Sequence, residues 1–244
     1  MLYNMHMSYK KYHPNSDYTY AFGFFPSLEA LHHAPHRCLA VLYDMRAQKS
    51  EALGTIEALC SAHAIPFLAD DKTVSRLAPS DNTFVITVIK KTHTLLSAGD
   101  NHLVLVSPSD MGNLGTIFRT ALGFDMRHIA LIQPCADEAD PRVIRASMGA
   151  VFRLNIQKFV TYEHYADQFP HHHAYPMMTD GAIPLADVHF SPPYRLIFGN
   201  ESAGLPPNFA QMGQSVVIPH SDSIDSLNLA IAVGVVLYVA GGKA

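Results

Sequence analysis

The sequence contains no tryptophan and only three cysteines, and its 17 basic residues are outnumbered by 21 acidic ones. Cys38, Cys60 and Cys135 are far apart, so they show neither a disulfide framework nor the paired spacing of a zinc or redox motif. We therefore predict buried or free thiols in a reducing compartment and a cytoplasmic protein. The formal net charge of −4 argues against a protein that binds nucleic acid with its whole surface.

Long apolar runs are also missing. The longest, Leu227–Ala240, is shorter than the roughly 20 residues needed to span a bilayer, so we predict a buried helix and no membrane contact. The first residues lack the apolar segment behind a basic start that marks a secretory signal. With 48% hydrophobic and 16% charged residues, the chain has the composition of a folded globular protein.

Two series of alternating strand-like and helix-like segments make up the chain. After a polar, aromatic arm over residues 1–20, a β-α-β-α-β pattern ends near Ile89, and the mixed segment Lys90–Asn101 is typical of a linker. A second series starts at His102. Strands that alternate with helices indicate an α/β fold with a mostly parallel sheet covered on both faces. We expect a small domain over residues 1–94 and a larger one over residues 101–244.

The segment from Asn113 to Arg119 follows a predicted strand and opens a predicted helix. Asn113 is a good N-cap residue, and Gly115 allows a close approach of backbone or ligand. Arg119 is an unusual charge among apolar neighbours. It either reaches solvent or pairs with a carboxylate as a structural residue, or it contributes to a site.

A glycine-bounded loop, Gly199–Leu205, follows another apolar strand. Such a loop is compatible with a plain turn and with a backbone cradle for a flat ligand. Neither the Gly-Lys-Ser/Thr of a P-loop nor the spacing of the dinucleotide fingerprint is present.

The segment Ile218–Asn228 precedes the apolar helix predicted over residues 226–239. Asp225 or Ser226 is suited to cap that helix. Ser226 and Asn228 place polar groups in its first turn, and buried polar groups need partners, which a bound cofactor could supply.

Two further features receive structural interpretations. The three consecutive histidines His171–His173 cannot readily converge on one ion, so we predict a solvated loop and no metal site. The small-residue stretch Ala146–Arg153 is interpreted as a place of tight packing.

Any RNA contact needs a local basic patch, for which the candidates are Lys90, Lys91, Arg119, Arg127, Arg142, Arg145 and Arg153.

In their order and intervals, the segments around Asn113, Gly199 and Ser226 resemble the SpoU (TrmH-like) family of RNA 2′-O-ribose methyltransferases of the SPOUT superfamily. The resemblance is specific over about residues 103–241. It implies a C-terminal trefoil-knotted domain that binds S-adenosyl-L-methionine, and a homodimer whose site lies close to the subunit interface. Residues 24–92 resemble more loosely the small α/β domain with which many members bind their RNA substrate.

Carried over position by position, the resemblance implies two sets of site residues. The catalytic set is Asn113, Arg119, Glu201, Ser226 and Asn228. The cofactor-binding set is Phe198, Gly199, Asn200, Gly204, Ile218 and Leu227. Asp222 departs from the family pattern, because the family usually has glycine there in the cofactor loop.

The function implied is transfer of a methyl group from S-adenosyl-L-methionine to a ribose 2′-hydroxyl of RNA, with ribosomal RNA favoured because of the N-terminal domain. Two alternatives stay open at this point. One is a tRNA 2′-O-methyltransferase, and the other is a non-catalytic RNA-binding or assembly factor of the same fold.

Overall fold

The computed structural model describes residues 9–47 and 50–241. These residues divide into two compact units. The first runs through Thr92 and includes Ala139–Pro141, and the second comprises His93–Glu138 and the chain from Arg142 onward. Of the arm predicted over residues 1–20, residues 1–8 lie outside the described part.

The described end of that arm is not irregular throughout, because strand β1 (Tyr18–Phe22) begins within it. The signal is an alternation that the prediction missed. Tyr18, Tyr20 and Phe22 occupy every second position, and their ring centroids lie 5.6 and 5.5 Å apart along one face of the strand. Alternate side chains of a strand share a face. Tyr20 is fully buried, so this face belongs to the core.

The first unit is a four-stranded mixed sheet with the strand order β1-β4-β2-β3. Strand β4 pairs antiparallel with both β1 and β2, whereas β3 pairs parallel with β2. Its other elements are α1 (Phe24–His33), β2 (Cys38–Tyr43), α2 (Glu51–Ala62), β3 (Phe67–Ala69), α3 (Asp71–Leu77) and β4 (Val85–Lys90). The predicted β-α-β-α-β series is therefore present, with β1 added at the edge.

The second unit contains a five-stranded sheet, β7-β6-β5-β10-β8, in which every pairing is parallel. The apolar runs form its strands because both faces of such a sheet are covered. Its strands are β5 (His102–Val106), β6 (His128–Ile132), β7 (Asn155–Phe159), β8 (His173–Pro176) and β10 (Tyr194–Phe198), and two short strands, β9 (Ile183–Pro184) and β11 (Val216–Val217), pair with each other.

Four helices accompany this sheet: α4 (Met111–Gly123), α5 (Pro141–Ala146), α6 (Tyr162–Gln168) and α7 (Leu229–Ala240). Helix α6 had no counterpart in the sequence prediction. Helix α7 begins later than predicted, since Asn228 is its N-cap and Ser226 lies before it. Within the described residues, no helix combines the length and the apolar character needed to cross a bilayer.

The strand order creates a crevice at the carboxyl edge of the sheet. From β5 the chain moves to β6 and β7 on one side, and it later returns to place β10 on the other side. Open parallel sheets bind ligands where the strand order reverses in this way. The loops after β5 and β10 meet at this point. The loop after β10 carries predicted site residues, and the loop after β5 leads into α4, which carries Asn113 and Arg119.

At the opposite, amino-terminal edge of the sheet, the predicted solvated loop at His171–His173 is wrong for His172, whereas His171 and His173 are exposed as expected. His172 is 4% exposed, and its ring stacks on the fully buried ring of His102, with centroids 4.2 Å apart. His102 Nε2 is 2.9 Å from the Ser97 carbonyl oxygen, and His172 Nε2 is 2.8 Å from that of Asp100. The neighbourhood is apolar and aromatic, and burial lowers the pKa of His102 to about 4. His172 thus belongs to a buried histidine pair and is flanked by two exposed histidines.

Candidate functional site

The loop after β10 closes on itself. Asn200 N–H donates to the Gly204 carbonyl over 3.1 Å, and Gly204 N–H donates to the Asn200 carbonyl over 2.9 Å. A Cβ atom at Gly199 would lie 2.0 Å from the Gly204 carbonyl carbon, so only glycine allows this approach. Gly204 has φ of +65°, a left-handed conformation that favours glycine. Both glycines are therefore required by the shape of the loop.

The side chain of Asn200 joins this loop to the one after β5. Its Oδ1 accepts hydrogen bonds from the backbone N–H groups of Ser202 and Ala203, at 2.9 and 3.2 Å. Its Nδ2 donates to the Ser107 carbonyl over 2.8 Å. Asn200 thus fixes the two sides of the crevice relative to each other.

The Glu201 carboxylate makes the second connection between these loops. It accepts hydrogen bonds from Ser109 N–H at 3.1 Å, Ser109 Oγ at 2.9 Å and Asp110 N–H at 3.0 Å. Burial alone would raise the pKa of Glu201, but these hydrogen bonds to the charged form hold it below its ordinary value. Glu201 is consequently an ionised brace in this arrangement.

The first turns of α4 and α7 meet beside the crevice. Asn228 Nδ2 donates to Asn113 Oδ1 over 3.1 Å, while Asn228 Oδ1 caps α7 through Ala230 N–H at 2.9 Å. Asp110 caps α4, because its Oδ1 accepts from Asn113 N–H at 2.7 Å. The predicted caps, Asn113 for α4 and Asp225 or Ser226 for α7, are therefore wrong. Asn113 and Asn228 are paired with each other instead.

A cavity of about 450 Å³ opens between these loops. Its lining includes eight of the predicted site residues: Phe198, Gly199, Asn200, Glu201, Gly204, Ile218, Ser226 and Leu227. Asn113, Arg119 and Asn228 are not part of the lining. The three sequence segments that were singled out thus lie close together, and two of them line one cavity.

Two groups of lining residues were missed by the sequence analysis. The first is Met177–Asp180, which follows β8 and so lies at the same carboxyl edge as the loop after β10. The usable signal was the predicted strand before it, since parallel strands end at a common edge. The second is His220, the one basic side chain among the described residues that line the cavity. In a sequence with 15 histidines, nothing local distinguishes it.

Arg119 is exposed and lies away from the cavity. It is six residues beyond Asn113, which corresponds to about 9 Å along α4. Helix α7 runs alongside α4 in the same direction, because Asn113 contacts Asn228 at their beginnings and Phe124 contacts Tyr238 at their ends. Within the described part of the chain, no side chain forms an ion pair with Arg119.

Two sequence features proved to be structural. A Cβ atom at Gly115 would lie 2.5 Å from Ala146 Cβ, so this glycine allows α4 to pack against the small-residue stretch. Asp222 is not among the residues with positive φ, so its replacement of glycine causes no backbone strain.

Across residues 9–47 and 50–241, no group of three or more His, Cys, Asp or Glu side chains could hold a metal ion.

Comparison with known proteins adds independent findings. The family described as SpoU rRNA Methylase family matches residues 100–238. An "uncharacterized tRNA/rRNA methyltransferase" of Synechocystis sp. is 36% identical over 144 residues, which are 57% of this chain and 52% of that protein. The chain thus spans about half the length of this relative.

Two solved structures are similar in fold. The crystal structure of an AdoMet-bound rRNA methyltransferase from Sinorhizobium meliloti has a TM-score of 0.77 and 26% identity, and the match covers 91% of this chain and 85% of that one. A structure described as giving insights into the 2-OH methylation of C/U34 on tRNA has a TM-score of 0.55 and 28% identity. That match covers 59% of this chain and 95% of that one.

Proposed function

The chain belongs to the SpoU rRNA methylase family, and we propose that it transfers the methyl group of S-adenosyl-L-methionine to a ribose 2′-hydroxyl of RNA. One observation carries this proposal. The loop after β10, the segment before α7 and the loop after β8 together line a cavity at the point where the strand order reverses.

The lining of this cavity fits S-adenosyl-L-methionine, a cation. A volume of about 450 Å³ lies within the range of small-molecule sites. Among the described residues, Asp180, Glu201 and Asp225 line it and no lysine or arginine does, so its field favours a positively charged ligand. When bound, the cofactor supplies an electrophilic methyl group on a sulfonium. The residues that would hold it are Phe198, Gly199, Asn200, Gly204, Ile218 and Leu227.

The chain's own residues then have to align and activate the RNA hydroxyl. Alignment is provided by Asn113, Ser226 and Asn228 at the mouth of the crevice, with Glu201 bracing the loop beside them. A guanidinium stays protonated in proteins, so Arg119 is assigned to hold an RNA phosphate and to stabilise the developing alkoxide rather than to accept its proton.

We further propose a homodimer in which Arg119 of one subunit serves the site of the other. The support is an exposed apolar stripe on α7, formed by Ile231, Val235, Tyr238 and Val239 and bordered by Phe124. The spacing of these residues places them on one helix face. Tyr238 is 73% exposed, and covering such a face stabilises an interface through the hydrophobic effect.

Ribosomal RNA is the substrate that we propose, with the first unit as its binding domain. The match to the structure described as an rRNA methyltransferase extends over 91% of this chain, whereas the match to the tRNA-related structure covers 59%. A tRNA substrate remains the alternative, because both kinds of name occur among similar proteins. Retention of Asn113, Arg119, Glu201, Ser226 and Asn228 argues against a non-catalytic assembly factor.

The trefoil knot is likewise a proposal for the second unit. Its support is that segments 198–205, 218–227 and the start of α7, which are separate in sequence, surround one cavity. A knotted path would hold these loops together more firmly than side-chain contacts alone.

Titration calorimetry and methyl transfer test the proposed function. Wild-type protein should bind S-adenosyl-L-methionine and should transfer its labelled methyl group to ribosomal RNA but not to tRNA. Transfer to tRNA alone would favour the alternative substrate. Absence of binding at millimolar cofactor would contradict the proposal.

A further inference from the structure

His220 follows β11 and Ile218–Pro219 and forms part of the cavity wall. Its side chain is half-buried, and its Nδ1 lies 2.8 Å from the carbonyl oxygen of Ile218. A carbonyl oxygen only accepts hydrogen bonds, so Nδ1 must carry the proton in this contact. In the neutral ring, Nε2 is then the nitrogen without a proton.

The loop that begins at His220 obtains its shape from side chains. Ser221 Oγ accepts a hydrogen bond from Ser223 N–H at 3.2 Å and donates one to Ser223 Oγ at 3.0 Å. Asp222 stands between them without a positive φ. A turn built by a serine hydroxyl replaces the conformational freedom of a glycine here. The His220 contact anchors the beginning of this turn to Ile218.

The hydrogen bond between His220 and Ile218 is important because Ile218 lines the cavity. Ile218 is one of the predicted cofactor residues, and it lines the cavity together with Leu227 and Gly199. A ligand held by backbone groups binds more tightly when those groups are already oriented before it binds. The imidazole of His220 restricts rotation of the peptide group that carries the Ile218 carbonyl.

We propose that His220 is a positioning residue for the cofactor, which orients the Ile218 carbonyl for the adenine end of S-adenosyl-L-methionine. This inference rests on the proposed function, since it assumes that the cavity holds this cofactor. It adds a residue outside the sets expected from the sequence. Its role is to pre-organise the backbone and not to take part in methyl transfer.

The test compares two variants by titration calorimetry. His220→Asn keeps an N–H donor near the position of Nδ1, whereas His220→Leu removes it. The ligands are S-adenosyl-L-methionine and adenosine, which share the adenine end. Loss of one oriented hydrogen bond is worth about a tenfold change in affinity. We expect His220→Leu to bind both ligands about tenfold more weakly, and His220→Asn to remain within about twofold of wild type.

Three results would overturn the inference. These are wild-type affinity in His220→Leu, an equal loss in His220→Asn, and a loss for S-adenosyl-L-methionine without one for adenosine. Urea unfolding checks that the variants are folded, and His220→Gln, whose amide lies farther from Ile218, replaces the leucine variant if that one unfolds. If wild-type protein itself fails to bind the cofactor, it is the proposed function that fails.

Discussion

Replacing Gly199 by alanine tests the closed loop after β10 most severely. The added Cβ would lie 2.0 Å from the Gly204 carbonyl carbon and 2.3 Å from Leu205 N, both of them backbone atoms that cannot rotate away. The loop must open, and the two hydrogen bonds between Asn200 and Gly204 then break. Each contributes about 1 kcal/mol, and overpacking costs about 1–3 kcal/mol more. We expect the free energy of unfolding to fall by about 3–5 kcal/mol.

The measurement is urea unfolding of the protein, together with calorimetry of S-adenosyl-L-methionine binding. Gly123→Ala is the matched control, because nothing lies within 4 Å of the Cβ it would add. The control should unfold and bind like wild type, whereas Gly199→Ala should lose cofactor binding. Wild-type stability and affinity in Gly199→Ala would refute this description of the loop.

Three other predictions concern different parts of the second unit. The pKa of His102 lies at about 4, below its ordinary value of 6.5. As the pH falls from 6.5 to 4, the unfolded chain takes up this proton before the folded chain does, so the free energy of unfolding declines. His102→Gln should weaken this dependence of the melting temperature on pH, whereas His36→Gln, at an exposed position, should not. Tyr238→Asp should yield monomers by analytical ultracentrifugation, while Leu95→Asp, at a 74% exposed position outside the stripe, should leave the assembly unchanged. Arg119→Ala should abolish methyl transfer with cofactor affinity within about twofold, and equal loss of both would show that its role is misplaced.

Local sequence patterns were sufficient to predict much of the second unit. Local composition predicted the strands β5 and β10 from their apolar runs, and it predicted the loop Gly199–Leu205 from the glycines that bound it. Six residues expected to hold a cofactor, among them Ile218 and Leu227, line one cavity in the structure. Their proximity was predictable because the family resemblance supplied the long-range arrangement that local patterns lack.

Features decided by long-range pairing could not be predicted in the same way. Strand β8 lies next to β10, and this placement brings Met177–Asp180 to the cavity. The sequence of an edge strand does not indicate which strand it pairs with. Capping shows the same limit at shorter range. Asp110 and Asn228 cap their helices, although Asn113 and Ser226 have equally suitable side chains, and Asn113 instead accepts a hydrogen bond from Asn228.

The proposed function requires that one cavity hold a methyl-bearing sulfonium beside a ribose hydroxyl. It is tested most directly by incubating the protein with ribosomal RNA and S-adenosyl-L-methionine that carries a deuterated methyl group, followed by mass spectrometry of the nucleosides. We expect the deuterated methyl group on a ribose 2′-oxygen with the wild-type protein and no label with Arg119→Ala. Label on a base, or label on ribose that persists in Arg119→Ala, would contradict it.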